Sequence, residues 1–347
     1  MGLQISDLVP KKEIGFEELR GKIIAVDAFN ILYQFLANIR QVDGTPLMDK
    51  KKRVTSHLSG LFYRTTNLMT KGLKLVYVFD GESPELKAKT AKARHERKEA
   101  AKEKYEKAKE KGKAEEMFKW SRQTLRLSDE MIDESKQLLK ALGLPVIQAP
   151  GEGEAQCAFM VKQKDAYAVA SQDYDSLLFG ATRLIQNLTL ARRRRTPTGF
   201  ISISPTLIEL DNTLNNLQIN RDQLISLGIL VGTDFNPQGI KGIGPKKALH
   251  LVKAHRQPVL IFTSLDKLFK EGKIPELDFD WRKIFEIFKK PNVRKDYKIE
   301  FKKVNEKKIK ELLCKEHDFS EDRVNNALNK VAEYEKSAKQ KDLKSYF

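Results

Sequence analysis

Two stretches of this chain share one pattern: an apolar run that stops on an aspartate. Lys22-Ile-Ile-Ala-Val-Asp27 leads into an apolar-periodic helix, and Leu73-Lys-Leu-Val-Tyr-Val-Phe-Asp80 leads into Gly81. Near-continuous apolar runs, rather than alternating ones, belong to strands covered on both faces, as in a parallel sheet. In such a sheet ligands collect beyond the carboxyl ends of the strands. A strand that ends on an acid delivers that acid to the ligand edge.

The stretch Gly151–Phe179 repeats the device twice over. Glu152 and Glu154 open a helix, Tyr167–Ser171 is an apolar strand, and Asp173 and Asp175 follow it. Asp234, placed after the apolar run Gln223–Val231 and Gly232, is the seventh acid in such a position. A single aspartate at a strand end is most often a turn former or helix cap. Seven at one edge repel one another unless positive charge lies between them. Hard Mg²⁺ or Mn²⁺ suits carboxylate oxygens, and the chemistry suited to the set is two-metal phosphodiester hydrolysis. The five histidines show no ligand spacing, which argues against zinc.

Helices are predicted over Ala28–Ile39 and Thr55–Met69, and another behind the N-cap Ser128. Further strands are predicted at Leu144–Gln148, Arg183–Leu188 and Phe200–Ile203. Strands alternating with helices give an α/β fold with a mainly parallel sheet flanked by helices. Arg192–Arg195 with Thr-Pro-Thr-Gly reads as an exposed basic loop, and beyond residue 205 the pattern is mostly helical.

Charge decides the partner. Sixty-four Lys and Arg against 47 Asp and Glu leave +17, which points to nucleic acid or an acidic membrane surface. No apolar run approaches the ~18 residues of a membrane helix. No signal peptide opens the chain, and Cys157 and Cys314 cannot build a disulfide framework, so an intracellular, reducing compartment is expected. Cys157, among Ala155, Ala158 and Phe159, reads as a core thiol.

Residues 85–126 hold fifteen Lys or Arg against eight Glu. They read either as a solvated helix laced with i,i+4 ion pairs or, given the basic excess and Tyr105, Phe118 and Trp120, as a projecting helical element that meets nucleic acid. Lys111-Gly112-Lys113 would split it into two helices, an arch rather than a rod. Gly239–Ala248 resembles a helix–hairpin–helix turn. There Gly242 and Gly244 let backbone approach a phosphate, while Lys246 and Lys247 add charge without sequence reading. Gln340, Leu343, Tyr346 and Phe347 are spaced to make one tight turn that docks in a partner's pocket.

Taken together, Ile-Ala-Val-Asp27-Ala, Tyr-Val-Phe-Asp80-Gly81, Glu152-Gly-Glu154-Ala, Asp173-Tyr-Asp175, Gly232-Thr-Asp234, the glycine turn and the terminal octapeptide resemble the flap endonuclease family over nearly the whole chain. The resemblance implies a PIN-like α/β core with a helical arch and a C-terminal helix–hairpin–helix region. It implies cleavage of 5′ flaps and nicked or gapped duplexes near the junction, in replication and repair. It divides the chain into core (1–84 and 128–235), arch (85–127), helix–hairpin–helix and C-terminal helices (236–335) and a flexible tail (336–347).

By position, the resemblance gives Asp27, Asp80, Glu152 and Glu154 to one Mg²⁺, and Asp173, Asp175 and Asp234 to a second. Lys87 and Arg94, two helical turns apart, match arch residues that steer the scissile phosphate. Tyr33 matches a base-stacking aromatic, Arg40 and Arg64 match DNA-contacting arginines, and Gly232 a backbone contact. The glycine turn implies a grip on duplex DNA with a K⁺ ion. The octapeptide implies a replication sliding clamp as partner, with the protein itself a monomer. Gly153 stands where the family has a small non-glycine residue, which is expected to loosen the glutamate pair. The end of the chain at the clamp peptide is of the archaeal type. The rival reading, a clamp-tethered DNA-binding scaffold without catalysis, has no need of all seven acids.

Overall fold

The computed structural model describes residues 3–41, 44–82, 87, 99–108, 116, 119–120, 126–189, 193–196, 199–270, 272 and 277–344. In chain order come β1 (Lys12–Glu13), β2 (Ile23–Asp27), α1 (Ala28–Asn38), α2 (Ser56–Met69) and β3 (Lys74–Phe79). After the basic segment follow α3 (Asp129–Ala141), β4 (Val146–Gln148), α4 (Gly153–Lys162), β5 (Ala168–Ala170), the helical turn α5 (Asp175–Leu178) and β6 (Arg183–Gln186). Then come β7 (Arg193–Thr196), β8 (Gly199–Ser202), β9 (Thr206–Glu209), α6 (Leu210–Leu217), α7 (Arg221–Val231) and α8 (Pro245–His255). The chain closes with α9 (Pro258–Lys270), α10 (Trp281–Lys289), α11 (Glu306–Lys310), a π-helical turn (Glu311–Glu316) and α12 (Glu321–Lys344).

Seven strands form one sheet in the order β1-β9-β6-β5-β2-β3-β4. The five from β4 to β6 run parallel, while β9 and β1 close the far edge antiparallel. The apolar runs divide by side-chain alternation. Ala25, Val76, Val78, Val169 and Leu184 pack with α4, α6 and α7 on one face. Ile24, Val26, Leu75, Tyr77, Phe79 and Ile185 pack with α1, α2 and α3 on the other. Covering both faces is why these strands read as unbroken apolar runs.

The helix starts follow local chemistry. Ser128 Oγ accepts from the Met131 N–H at 3.2 Å, and Asn220 and Gln223 form a reciprocal capping box for α7. Cys157 is fully buried in α4, as its spacing predicts.

The chain departs from its sequence pattern in three places. The residues expected as a basic loop contain β7, which pairs with β8 as an antiparallel hairpin. Thr206–Glu209, inside the region expected to be helical, is β9 and pairs with β6. Four residues running straight into an amphipathic helix carry too short a strand signal to be read alone. The tail expected from residue 336 begins later, because α12 runs to Lys344 with Val324, Leu328 and Val331 buried beneath its first turns.

Of the basic segment, residues 99–108 are helical, with Ala101 and Ala108 buried. The Lys104 ammonium lies 4.5 Å from the centroid of the Trp120 ring. The expected break at 111–113, and Arg94, lie outside the described residues.

Between α10 and α11 the chain runs as an extended strap across the core. Arg294 exchanges both backbone hydrogen bonds with the Gln156 side chain on α4, at 2.7 and 2.9 Å. Further on, the Lys302 N–H donates to Gly143 O at 2.8 Å, and the Asn305 N–H to Ala141 O at 2.7 Å.

Candidate active site

Seven acids meet at the carboxyl edge of the parallel strands, and the local fold explains each arrival. Asp27 is the last residue of β2 and caps α1, accepting from the Asn30 N–H at 3.1 Å. Asp80 follows β3, and Gly81 lets the next turn come close. The Gly81 N–H donates to Gly151 O at 2.7 Å, and a Cβ on Gly81 would fall 2.2 Å from Ala149 O. Glycine at that position brings Asp80 beside the start of α4, where Glu152 is the N-cap and Glu154 lies in the first turn. The Gly153 N–H donates to Asp80 Oδ1 at 2.8 Å. Gly153 is therefore clamped between the two glutamates rather than loose, contrary to expectation.

Asp173 lies in the turn after β5, Asp175 opens α5, and Asp234 sits in the turn after α7 and Gly232. Burial, and then the Asp80 carboxylate, push the Asp27 carboxyl well above the usual carboxylate range. Burial and Glu152 push Asp80 up to about 6. Burial and Asp234 push Asp175 up to about 7. Glu154 is raised well above its usual value by burial and by Asp175. Each acid of the seven acts on at least one other, so they form a single electrostatic cluster.

One cation already serves the cluster. The Lys87 ammonium hydrogen-bonds Glu152, lies 3.6 Å from Asp234, and has a side chain only 14% exposed. Its pKa is raised by Glu152 and Asp234, although burial pulls the other way. Among the described residues no three His, Cys, Asp or Glu side chains close into a ready-made metal cage. The donor set nonetheless fits a divalent ion. It consists of hard carboxylate oxygens, largely buried, and two of them are already answered by a positive charge.

Several groups that hold these acids were not legible in the sequence. Asn30 Nδ2 donates to Asp173 Oδ2 at 2.8 Å, while its Oδ1 accepts from the Gln172 N–H at 3.1 Å. Ser171 Oγ donates to Glu154 Oε1 at 2.9 Å. The Leu3 N–H donates to Asp175 Oδ1 at 3.1 Å. Asn30 left one sign, a polar residue between Phe29 and Ile31 on an apolar helix face; the others left none.

The remaining expected residues lie around this centre. Tyr33 is 39% exposed on α1. Arg40 sends its guanidinium to the carbonyls of Leu36 at 3.1 Å and Gly44 at 2.7 Å, so it also closes the turn after α1. Arg64 is half-buried on α2, where burial lowers its pKa.

Gly232 ends α7, and the Gly239–Gly244 turn joins it to α8. Gly239 has φ +55°, and a Cβ there would strike Val231 O at 2.2 Å, so the close approach requires glycine. Asn236 holds this connection. Its Oδ1 accepts from the Thr233 N–H and Oγ1 at 3.1 and 2.8 Å, and its Nδ2 donates to Ile229 O at 2.7 Å. Gly244 caps α8, Pro245 opens it, and Lys246 and Lys247 follow in its first turn. Lys247 Nζ donates to Gly242 O at 3.1 Å. Gln340 and Leu343 belong to the backbone of α12; their side chains, and Tyr346 and Phe347, lie outside the described residues.

Residues 4–101 match the XPG N-terminal domain and residues 143–234 the XPG I-region. Over 336 residues the chain is 51% identical to flap endonuclease 1 of Hyperthermus butylicus, an alignment that covers 95% of this chain and 94% of that protein. The chain belongs to the flap endonuclease family. All seven acids of this family member fall inside the two matched regions, Asp27 and Asp80 in the first and the other five in the second. Its fold superposes on the flap endonuclease-1 of Methanococcus jannaschii with a TM-score of 0.75 at 40% identity, covering 96% of this chain and 98% of that one. The catalytic core of Rad2 in complex with DNA substrate shares the flap endonuclease fold at 22% identity. That TM-score is 0.70, over 95% of this chain and 100% of that one.

Proposed function

We propose that this chain is a structure-specific DNA nuclease that cuts 5′ flaps where single strand meets duplex and trims 5′ ends at nicks and gaps. The observation that carries the reading is the meeting of seven carboxylates at one sheet edge, with a lysine ammonium seated against two of them. Such a site is built to exchange one cation for others and to receive a phosphate.

Two Mg²⁺ ions fit it best, with Mn²⁺ as a substitute. Asp27, Asp80, Glu152 and Glu154 would hold one, and Asp173, Asp175 and Asp234 the other. When bound, such ions supply Lewis acidity and a water of lowered pKa. The protein's own groups do the positioning. Asn30, Ser171 and the Leu3 N–H orient the acids. Lys87 leaves Glu152 and Asp234 for a phosphate oxygen as the strand enters, and Arg94, seven residues on, serves the same phosphate. Tyr33 offers its exposed ring to the base next to the cut.

Duplex DNA rests on the Gly239–Gly244 turn, where the first N–H groups of α8 and Lys246 meet phosphate. A K⁺ ion at the turn carbonyls fits the place that Lys247 Nζ now occupies on Gly242 O. Arg40 and Arg64 face the same substrate. Gln340, Leu343, Tyr346 and Phe347 dock the protein, as a monomer, onto a sliding clamp inside the cell.

An end-labelled 5′-flap duplex with Mg²⁺ tests the reading. Wild type releases the flap, while Asp175→Ala binds the duplex and leaves it whole. Binding without cutting by wild type means a scaffold instead. Removing Gln340–Phe347 abolishes stimulation by the clamp and spares intrinsic cleavage.

A further inference from the structure

Far from the seven acids, a second set of ionisable groups is buried where three parts of the chain meet. The turn between α1 and α2 contributes Asp49 and Arg53, α2 contributes His57, α3 contributes Glu134, and the residue after the π-helical turn is His317. The His317 ring is 1% exposed and lies between two carboxylates. Its Nδ1 is 3.1 Å from Asp49 Oδ2, and its Nε2 is 2.9 Å from Glu134 Oε1.

The other Glu134 oxygen is 3.2 Å from His57 Nε2, and His57 Nδ1 has no hydrogen-bond partner among the described residues. Arg53 donates to Asp49 through its Nε at 2.7 Å and its backbone N–H at 2.9 Å. Its guanidinium also reaches Glu316 O. At the rim, Lys50 pairs with Asp318, and Glu130 adds negative charge toward Arg53.

An ionised carboxylate only accepts hydrogen bonds. A ring with a carboxylate at each nitrogen must donate from both, so it must be an imidazolium. A neutral ring, buried as this one is, would turn a lone pair toward one carboxylate. The charges of the four groups around the ring then balance, with Arg53 and His317 against Asp49 and Glu134. Removing the His317 proton leaves one unbalanced buried charge.

We propose that His317 is a proton-operated latch, which as an imidazolium ties the Asp49–Arg53 turn and the start of α12 to α3 and on losing its proton releases the turn. Met48, Lys50, Lys51 and Lys52 stand exposed on that turn, so the latch fixes how a basic surface is presented.

The electrostatics agree with the geometry. The hydrogen bond to Glu134 raises the His317 pKa, and burial only partly offsets it. Against the cost of burial, His317 and His57 hold Glu134 down to about 2, and Arg53 holds Asp49 low. A histidine raised on folding stabilises fully below its unfolded value of about 6.5, and that contribution is lost as pH rises through the folded value. The latch is closed below the ordinary histidine value and opens as pH rises through the higher folded one.

Nitrogen-detected NMR of the full-length wild-type protein tests this directly. At about pH 7, above the ordinary histidine value, both His317 ring nitrogens carry protons. Amide exchange then reads the consequence. After correction for intrinsic rates, protection over residues 44–55 falls at least tenfold between about pH 6.5 and pH 9, spanning the histidine range. In His317→Gln, which keeps a hydrogen-bonding side chain without the charge, protection is the same at both. A neutral His317 tautomer at neutral pH, or pH-independent protection in wild type, overturns the latch. Both readouts use wild type, so neither depends on the variant folding or on cleavage.

Discussion

The Lys87 ammonium donates a hydrogen bond to the Glu152 carboxylate across 65 residues of chain. Together with its approach to Asp234, this makes the lysine the resting counter-ion of the acidic centre. A divalent ion taking those carboxylates has to displace it. Lys87→Met therefore binds Mn²⁺ several-fold more tightly than wild type when free ion is followed by electron paramagnetic resonance, and yet cleaves more slowly. Equal or weaker Mn²⁺ binding shows that the ammonium does not compete.

The raised carboxyls set how the metal-free protein responds to pH. Asp80 at about 6 and Asp175 at about 7 bind protons more tightly folded than unfolded. Their contribution is greatest below the unfolded aspartate value of about 3.9 and is lost as pH rises through the folded values. In chelator, Tm falls between about pH 5 and pH 8, a window set by those values above the unfolded reference. Glu134, held at about 2, is already ionised there and adds no slope. Asp175→Asn flattens the fall, and Mg²⁺ removes the part the acidic centre supplies, leaving only what His317 contributes as its proton is lost; a flat wild-type profile in chelator contradicts the prediction.

Asn30 fixes Asp173 with one side-chain atom and Gln172 with the other. Groups that orient ligands in this way are typically worth about 10–100-fold in metal affinity or activity. Asn30→Ala should lower kcat by that factor and raise the Mn²⁺ needed for half-maximal rate. An unchanged metal requirement would assign Asn30 to the fold alone.

Two neighbouring substitutions separate stability from DNA grip in the hairpin region. Asn236→Ala leaves buried backbone groups unanswered and costs about 1–3 kcal/mol in urea denaturation. Lys246→Ala, on the exposed first turn of α8, stays within about 0.5 kcal/mol of wild type. It weakens duplex binding and flattens the salt dependence of that binding. If both lose stability equally, Lys246 has a structural role.

The acids could be read from the sequence because each stands beside a regular element whose end is written locally, Asp27 and Asp80 after apolar runs and Glu152 before a helix. The parallel strands were legible for the same reason. The groups that hold the acids were not, since Leu3 meets Asp175 across 172 residues and Asn30 meets Asp173 across 143. Those contacts exist only after the strands are in order, and no local period carries them. β9 escaped because its partner β6 supplies most of its definition. His57 and His317 looked unconnected because the carboxylate that joins them, Glu134, comes from another part of the chain.

The strap that pairs Arg294 with Gln156 has a consequence for biosynthesis. α4, which carries Glu152 and Glu154 at its start, is made long before the residues that complete its cover, 138 positions further along. During translation the acidic centre can assemble its strands early, since domains form as their sequence emerges. The outer side of α4 must stay unfinished until most of the chain is out of the ribosome. A nascent chain stalled before residue 294 would present the acids on a half-anchored helix, so competence is acquired late.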